Sequence, residues 1–186
     1  STLVINSINN NISIIANSGS TPTPESPPNP FTPEYGLLDL DYLTLNSGSG
    51  DILIRGDTFI FTVAENVTPE IKSTGSFTLE PSAASFYGTN SGGPVQTAFF
   101  VFPDTLSSFT LGKSTNTADV TIDSAISIAG PVSLFGGNIA INELLTSTSN
   151  TITLTASGDV TQNASLKANK LGLNGTGTFT LQNSSN

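Results

Sequence analysis

The sequence predicts an all-β solenoid, a parallel β-helix of about twenty residues per coil. Three observations carry that expectation. The first is a triplet with mostly apolar outer residues and a small or polar centre. It recurs as Val120-Thr121-Ile122, Ile139-Ala140-Ile141, Val160-Thr161-Gln162 and Phe179-Thr180-Leu181, at steps of 19, 21 and 19. Alternation within a triplet is the period of a strand, and its return once per coil marks a stack. The second is another such series, Val132-Ser133-Leu134, Ile152-Thr153-Leu154 and Leu171-Gly172-Leu173, at steps of 20 and 19. The third is the turn chemistry between the triplets. Gly136-Gly137-Asn138, Ser157-Gly158-Asp159 and Asn174-Gly175 supply residues that tolerate the conformations of tight corners.

Residues 1–17 hold Leu3-Val4-Ile5 and Ile12-Ser13-Ile14-Ile15 on either side of an Asn-rich turn, short strands that fit a first coil. Residues 18–36 carry Pro22, Pro24, Pro27, Pro28, Pro30 and Pro33. Proline at that density lacks the donors of a sheet ladder and favours extended chain, so this stretch reads as a linker or an inserted loop. From residue 37 to 186 the β-helix resumes. Strands are expected at Tyr42-Leu43-Thr44-Leu45, from Asp51 to Ile54 and from Phe59 to Val63, with a turn at Asn46-Ser47-Gly48-Ser49-Gly50. Ser76-Phe77-Thr78-Leu79 recurs word for word as Ser108-Phe109-Thr110-Leu111. Between them, at about 80–107, lies an irregular stretch with Phe86, Tyr87, Phe99, Phe100 and Phe102. It reads as a second loop excursion, packed back over a coil or over an end of the stack. About seven coils are expected from Leu37 onward, spaced about 4.8 Å apart. A single coil buries too few side chains to offset the entropy of ordering it; the stack supplies the rest.

Composition narrows the function. Only 10% of the residues are charged, against about 25% in an ordinary domain. Ser, Thr, Asn and Gly take the outward positions instead, as suits an extracellular β-rich protein. The net charge is −9, and the five cations (Arg55, Lys72, Lys113, Lys167 and Lys170) are scattered. Nucleic-acid binding and attachment through a polybasic patch both need clustered cations, so neither is expected. No run approaches a membrane span, so membrane insertion is not expected either. The chain has no Cys, His, Met or Trp, which removes the usual ligands of zinc, haem and iron–sulfur sites and any Ser-His-Asp or Cys-His mechanism within it. Its opening on Ser1 predicts a processed or excised piece of a longer protein.

The wording of Gly75-Ser76-Phe77-Thr78-Leu79-Glu80-Pro81, of Leu111-Gly112-Lys113-Ser114-Thr115-Asn116-Thr117-Ala118-Asp119-Val120-Thr121-Ile122 and of Ile128-Ala129-Gly130-Pro131-Val132-Ser133-Leu134-Phe135-Gly136-Gly137-Asn138-Ile139 resembles the repeat regions of filamentous-haemagglutinin-like large surface adhesins of Gram-negative bacteria. The resemblance covers about residues 75 to 182. It implies a right-handed parallel β-helix, export to the cell surface, and a role in adhesion or biofilm cohesion. The Asn-Pro-Asn-Gly signature of the secretion domain in two-partner-secreted members does not occur in this sequence. The piece is therefore expected in the shaft or an internal module.

Few residues point to chemistry. Arg55-Gly56-Asp57 is an integrin-type tripeptide and uses the only arginine; recognition would need both charges splayed from an exposed turn, and a turn with two solvated charges explains it equally well. Asp39 and Asp41 share one face of a strand, and Asp51, Asp57 or Glu34 could join them around calcium, which wants six to eight oxygens. No calcium-loop signature accompanies them, so solvated acids are the simpler reading and no cofactor is expected. A β-helical lyase or hydrolase needs acids, or a cation beside acids, projecting from adjacent coils. The outward residues Thr121, Ala140, Thr161, Thr180, Ser133, Thr153 and Gly172 include no acid, and Glu143, Asp123 and Asp159 fall at turns. Ala140 also interrupts the threonine ladder that ice binding would need. The sequons at Asn11, Asn66, Asn163, Asn174 and Asn183 reflect the abundance of Asn, Ser and Thr.

The expectation is a non-enzymatic structural and adhesive segment at the bacterial cell surface. Its partners would be further coils or other copies of the chain and a host-surface or matrix glycan or protein. A non-catalytic carbohydrate-binding module is the alternative, with a polysaccharide-degrading enzyme behind it.

Overall fold

The computed structural model describes residues 3–16, 37–40, 43–60, 69–89, 93–98 and 100–186. The described residues hold no helix; their strands run parallel and stack as a β-solenoid of about 6 turns, about 21 residues per turn. The first level carries β1 (Leu3–Asn6), β2 (Ile12–Ile15) and β3 (Leu37–Asp39). The second carries β4 (Leu43–Gly48), β5 (Ile52–Arg55) and β6 (Thr58–Ile60). The third holds β7 (Glu70–Ser73), β8 (Ser76–Glu80), β9 (Gly88–Thr89) and β10 (Val95–Gln96), and the fourth β11 (Ser108–Leu111) and β12 (Val120–Ile122). Then come β13 (Ile126–Ile128), β14 (Val132–Gly136) and β15 (Ile139–Ile141). The last two levels are β16 (Leu145–Ala156) with β17 (Val160–Gln162), and β18 (Leu166–Gly175) with β19 (Phe179–Thr180).

One face runs the whole length, from β2 through β5, β8, β11, β14 and β16 to β18. Its inner positions make two columns. Ile12, Ile52, Phe77, Phe109, Val132, Ile152 and Leu171 are partners in register, as are Ile14, Ile54, Leu79, Leu111, Leu134, Leu154 and Leu173. The identical Ser76–Leu79 and Ser108–Leu111 segments lie on one another residue for residue. Their phenyl rings stack, Phe77 on Phe109, with centroids 5.8 Å apart and planes 11° apart. A second face joins β12, β15, β17 and β19, the triplet series with steps of 19, 21 and 19. The third face holds β1, β4 and β7, and later β13 with the opening residues of β16 and β18. β16 is one strand that turns a corner, pairing β13 through Leu145 and β14 through Ile152.

Corners between faces bring backbone against backbone. A Cβ built on Gly130 would lie 1.8 Å from the carbonyl oxygen of Ser107 in the coil beneath, and one on Gly177 1.6 Å from that of Gly158. Only hydrogen fits such a gap, so glycine at these corners permits the close coil spacing. Buried hydroxyls close the same corners: Ser73 donates to the Gly50 carbonyl at 2.8 Å and Ser147 to that of Gly130 at 2.7 Å.

Several expectations need correction. The seven strands of the long face are joined by about 6 turns; from Leu37 onward there are fewer than the seven coils expected, because the early coils are long. In-register partners there lie 40 residues apart (Ile12 to Ile52), 25 (Ile52 to Phe77) and 32 (Phe77 to Phe109). Parts of the stretch at about 80–107 add to the stack. β9 extends β6, β10 starts the sheet that continues in β12, and Val101 bridges Glu70. Phe86 and Phe102 turn inward: Phe86 meets Phe59 edge-on at 5.8 Å, and Phe102 meets Phe77 and Phe109 at 5.1 and 5.0 Å, while Tyr87 is exposed. Aromatic rings thus fill core positions in these coils that aliphatic side chains fill in the later ones. The turn expected at 46–50 is shorter, since β4 runs through Gly48 with a register shift against β7 after Asn46. Thr121, expected to face solvent, is buried, with Gln96 of β10 and Ala140 of β15 as its register partners. Residues 18–36, Asp41, Tyr42, 61–63 and Phe99 lie outside the described residues.

Candidate functional site

The polar side chains of the described coils mostly hold one coil to the next. Asx residues stand immediately before the first inner residue of several strands, and each accepts a backbone N–H from the equivalent position one coil on. Asn11 Oδ1 accepts from Asp51 at 2.9 Å, and Asp51 Oδ1 from Ser76 at 2.8 Å. Asp119 Oδ1 accepts from Asn138, and Asn138 Oδ1 from Asp159, both at 2.8 Å. The Ser76 backbone N–H, helped by its hydroxyl, holds the Asp51 carboxyl below the usual carboxylate range. A second ladder follows the corner after the β12–β19 face: Asn163 Nδ2 donates to Asn142 Oδ1 at 2.7 Å, and Asn183 Nδ2 to the Asn163 carbonyl at 3.1 Å. The sequence reading missed these ladders. Their signal was present as Asx residues 19 and 21 apart (Asp119, Asn138, Asp159) directly ahead of the triplets, hidden by the abundance of Asn and Asp at turns.

Arg55-Gly56-Asp57 sits where β5 turns into β6. Arg55 faces outward in register with Glu80 of β8, and its guanidinium forms an ion pair with that carboxylate through Nη2 and through Nε at 2.7 Å. Gly56 is buried and donates its N–H to the Glu80 carbonyl at 3.2 Å. Asp57 is fully buried: Oδ1 accepts the Ala83 N–H at 2.6 Å and the backbone carbonyl accepts that of Tyr87 at 2.7 Å. Oδ2 has no partner among the described residues. The two charges are therefore not splayed on an exposed turn, neither for an integrin-type receptor nor as a solvated pair. One is tied to the next coil and the other is inside. A corner needs a small residue and a side chain that caps free amides, and glycine followed by aspartate supplies both.

Asp39 ends β3, in register with Ile60 of β6. Asp51 and Asp57, proposed beside it, are engaged at separate corners as described. Among the described residues no group of three or more His, Cys, Asp or Glu side chains comes together.

The outer column of the long face is different in kind. Thr78, Thr110, Ser133 and Thr153 are successive register partners, followed by Gly172. This is a ladder of four half-buried hydroxyls on one parallel sheet. At the C-terminal level the same face stops being covered. Leu171 is 43% and Leu173 44% exposed, whereas Ile152 and Leu154 beneath them are fully buried. A hollow of about 310 Å³ opens there between Leu166, Ala168, Leu171, Leu181 and Asn186.

Comparison of the chain with protein-family models, with curated proteins and with solved structures finds no match.

Proposed function

We propose that this chain is a structural and adhesive segment of an extracellular bacterial surface protein or fibre, of the filamentous-haemagglutinin-like kind. In this reading it serves cell adhesion and biofilm cohesion and carries out no catalysis. The observation that supports it is the use made of the polar side chains. Asn11, Asp51, Asp119, Asn138, Asn142 and Asn163 join coil to coil, and the Arg55–Glu80 ion pair does the same. Chemistry spent on axial cohesion is what a load-carrying shaft needs. Its acidic, cation-poor surface keeps it soluble and free of non-specific binding to polyanions.

One observation favours a second reading, a carbohydrate-binding module. The Thr78, Thr110, Ser133 and Thr153 hydroxyls form a regular row in register along one sheet, and a polysaccharide offers its own hydroxyls at repeating intervals. The test is to incubate the purified chain with a polysaccharide panel, following retention and polymer length, and to measure attachment of chain-coated beads to cells and matrix. Bead attachment without polymer shortening is the expected result. Retention on one polysaccharide, lost on replacing the hydroxyl row, would favour the module, and shortened polymer would overturn both readings.

A further inference from the structure

The hydroxyls in the middle of the long face are not spent on the fold. Corner hydroxyls such as Ser73 and Ser147 donate to the Gly50 and Gly130 carbonyls and so join coils. Thr78, Thr110, Ser133, Thr153 and Thr155, all half-buried, make no side-chain hydrogen bond among the described residues. Each of these hydroxyls is both a donor and an acceptor. The first four face one side of four successive coils, in register and about 4.8 Å apart.

An aromatic side chain stands beside that row. Phe135 lies two residues beyond Ser133 on β14 and therefore on the same side of the sheet. It is half-buried, and its register partner in the next coil is Thr155. In the coil beneath, its neighbour is Gly112, where a Cβ would lie 3.1 Å from the Phe135 Cβ. The chain thus places no side chain beside the ring at that point.

The occupant such a surface fits is set by charge and by pairing. β11, β14 and β16 contain no charged residue, although the chain carries a net charge of −9. An acidic polymer or a charged peptide finds no counter-charge on these strands. Both sides of β11 and β14 are already paired, so a peptide cannot add to either as a strand. A neutral sugar chain meets both remaining features. Its hydroxyls exchange hydrogen bonds with the row, and the C–H face of a pyranose ring packs on an aromatic ring. An extended β-linked chain also advances per ring by nearly the spacing between coils.

We propose that the middle of the long face binds a neutral, extended β-linked polysaccharide laid along the solenoid axis. One sugar ring sits over each of Thr78, Thr110, Ser133 and Thr153, and Phe135 packs against the ring at Ser133. The proposal rests on the carbohydrate-binding reading, which a load-carrying shaft accommodates along its side.

Titration followed by backbone amide shifts tests it. The probes are cello-, manno- and N-acetylchito-oligosaccharides of two to six rings, with oligogalacturonate as the charged comparison. One neutral series is expected to bind, with shifts confined to the long face. Its affinity should rise about tenfold from two rings to four, a gain of about 1.4 kcal/mol, and stay level from four to six, because the row ends. Thr110→Val and Thr153→Val keep the branched shape and remove the hydroxyl; each should weaken the four-ring probe about fivefold, the worth of one hydrogen bond. Phe135→Leu should weaken it similarly, and Ser127→Ala, on the neighbouring face, should leave it unchanged. Circular dichroism checks the fold of each, and two hydroxyl variants at separate coils keep the test open if one fails to fold. No binding by any neutral series, affinity indifferent to length, or equal binding of oligogalacturonate overturns the proposal. Polysaccharide retention that all three weakened variants preserve overturns this placement but leaves the carbohydrate-binding reading standing; no retention at all overturns both.

Discussion

Two glycine-to-alanine substitutions, identical in chemistry, should differ sharply in cost because of where the coils touch. At Gly130 the new methyl would lie 1.8 Å from the Ser107 carbonyl oxygen and 2.3 Å from its carbon. Both neighbours are backbone, so no side chain can swing aside and two coils must part at the corner. That places Gly130→Ala at the upper end of overpacking costs, about 3 kcal/mol. At Gly172 the nearest atom is Thr153 Oγ1 at 3.3 Å, a side-chain hydroxyl that can rotate. Gly172→Ala should stay within about 0.5 kcal/mol of the parent, as surface substitutions usually do. With a urea slope of about 1–3 kcal/mol/M, Gly130→Ala lowers the unfolding midpoint by about 1–3 M while Gly172→Ala barely moves it. Equilibrium urea unfolding followed by circular dichroism reads both. Equal midpoints for the two variants would refute close backbone contact at this corner, and with it the coil spacing.

Other outcomes follow from the same geometry. Leu154→Ala empties a fully buried place between Leu134 and Leu173 and should cost about 2–5 kcal/mol. Leu173→Ala, at a position already 44% exposed, should cost about 1 kcal/mol; equal costs would contradict the stacking order. Asp51, whose carboxyl is held low by Ser76, adds stability that is full above its unfolded value of about 3.9. That contribution is lost as pH falls through the lower folded value. Asp51→Asn should therefore flatten the acid limb of the urea midpoint below about pH 4, and an unchanged limb would remove Asp51 from the account. Because Asp57 is buried and Arg55 is paired with Glu80, a soluble Arg-Gly-Asp peptide should leave bead attachment to cells unchanged; competition by the peptide would show that the corner opens.

The regular part of the fold was legible because its turns are short and nearly constant. From Val120 to Phe179 each coil returns after 19 or 21 residues, so period-two triplets announce both the strands and their stacking partners. The chain also matches itself at an offset of 32, Val120 falling on Ile152, because neighbouring faces, β12 and β16, carry similar inner residues. Where coil length varies, that signal fails. Ser76–Leu79 and Ser108–Leu111 were seen as identical but not as neighbours, because 32 residues separate them. The aromatics in between looked like a loop core because nothing periodic tied Phe86 or Phe102 to the stack. The tripeptide at 55–57 reads the same whether its acid is buried or free; only the Ala83 and Tyr87 amides above it distinguish the two. The hydroxyl row was overlooked because Thr78 and Thr110 belong to the long early coils, while the reading followed Thr121 on the interrupted face.

The parallel stack itself is tested most directly by distances along the long face. The chain has no native cysteine, so single nitroxide labels can be placed in pairs at will. One label at Ser13 is combined in turn with Ser133, Thr153 or Gly172, which stand four, five and six register steps away along one outer column. At about 4.8 Å per step, pulsed dipolar spectroscopy should give backbone separations near about 19, 24 and 29 Å, rising by one coil spacing each time. Separations that fail to rise in that order, as in a meander of antiparallel hairpins, would contradict the solenoid and the shaft built on it.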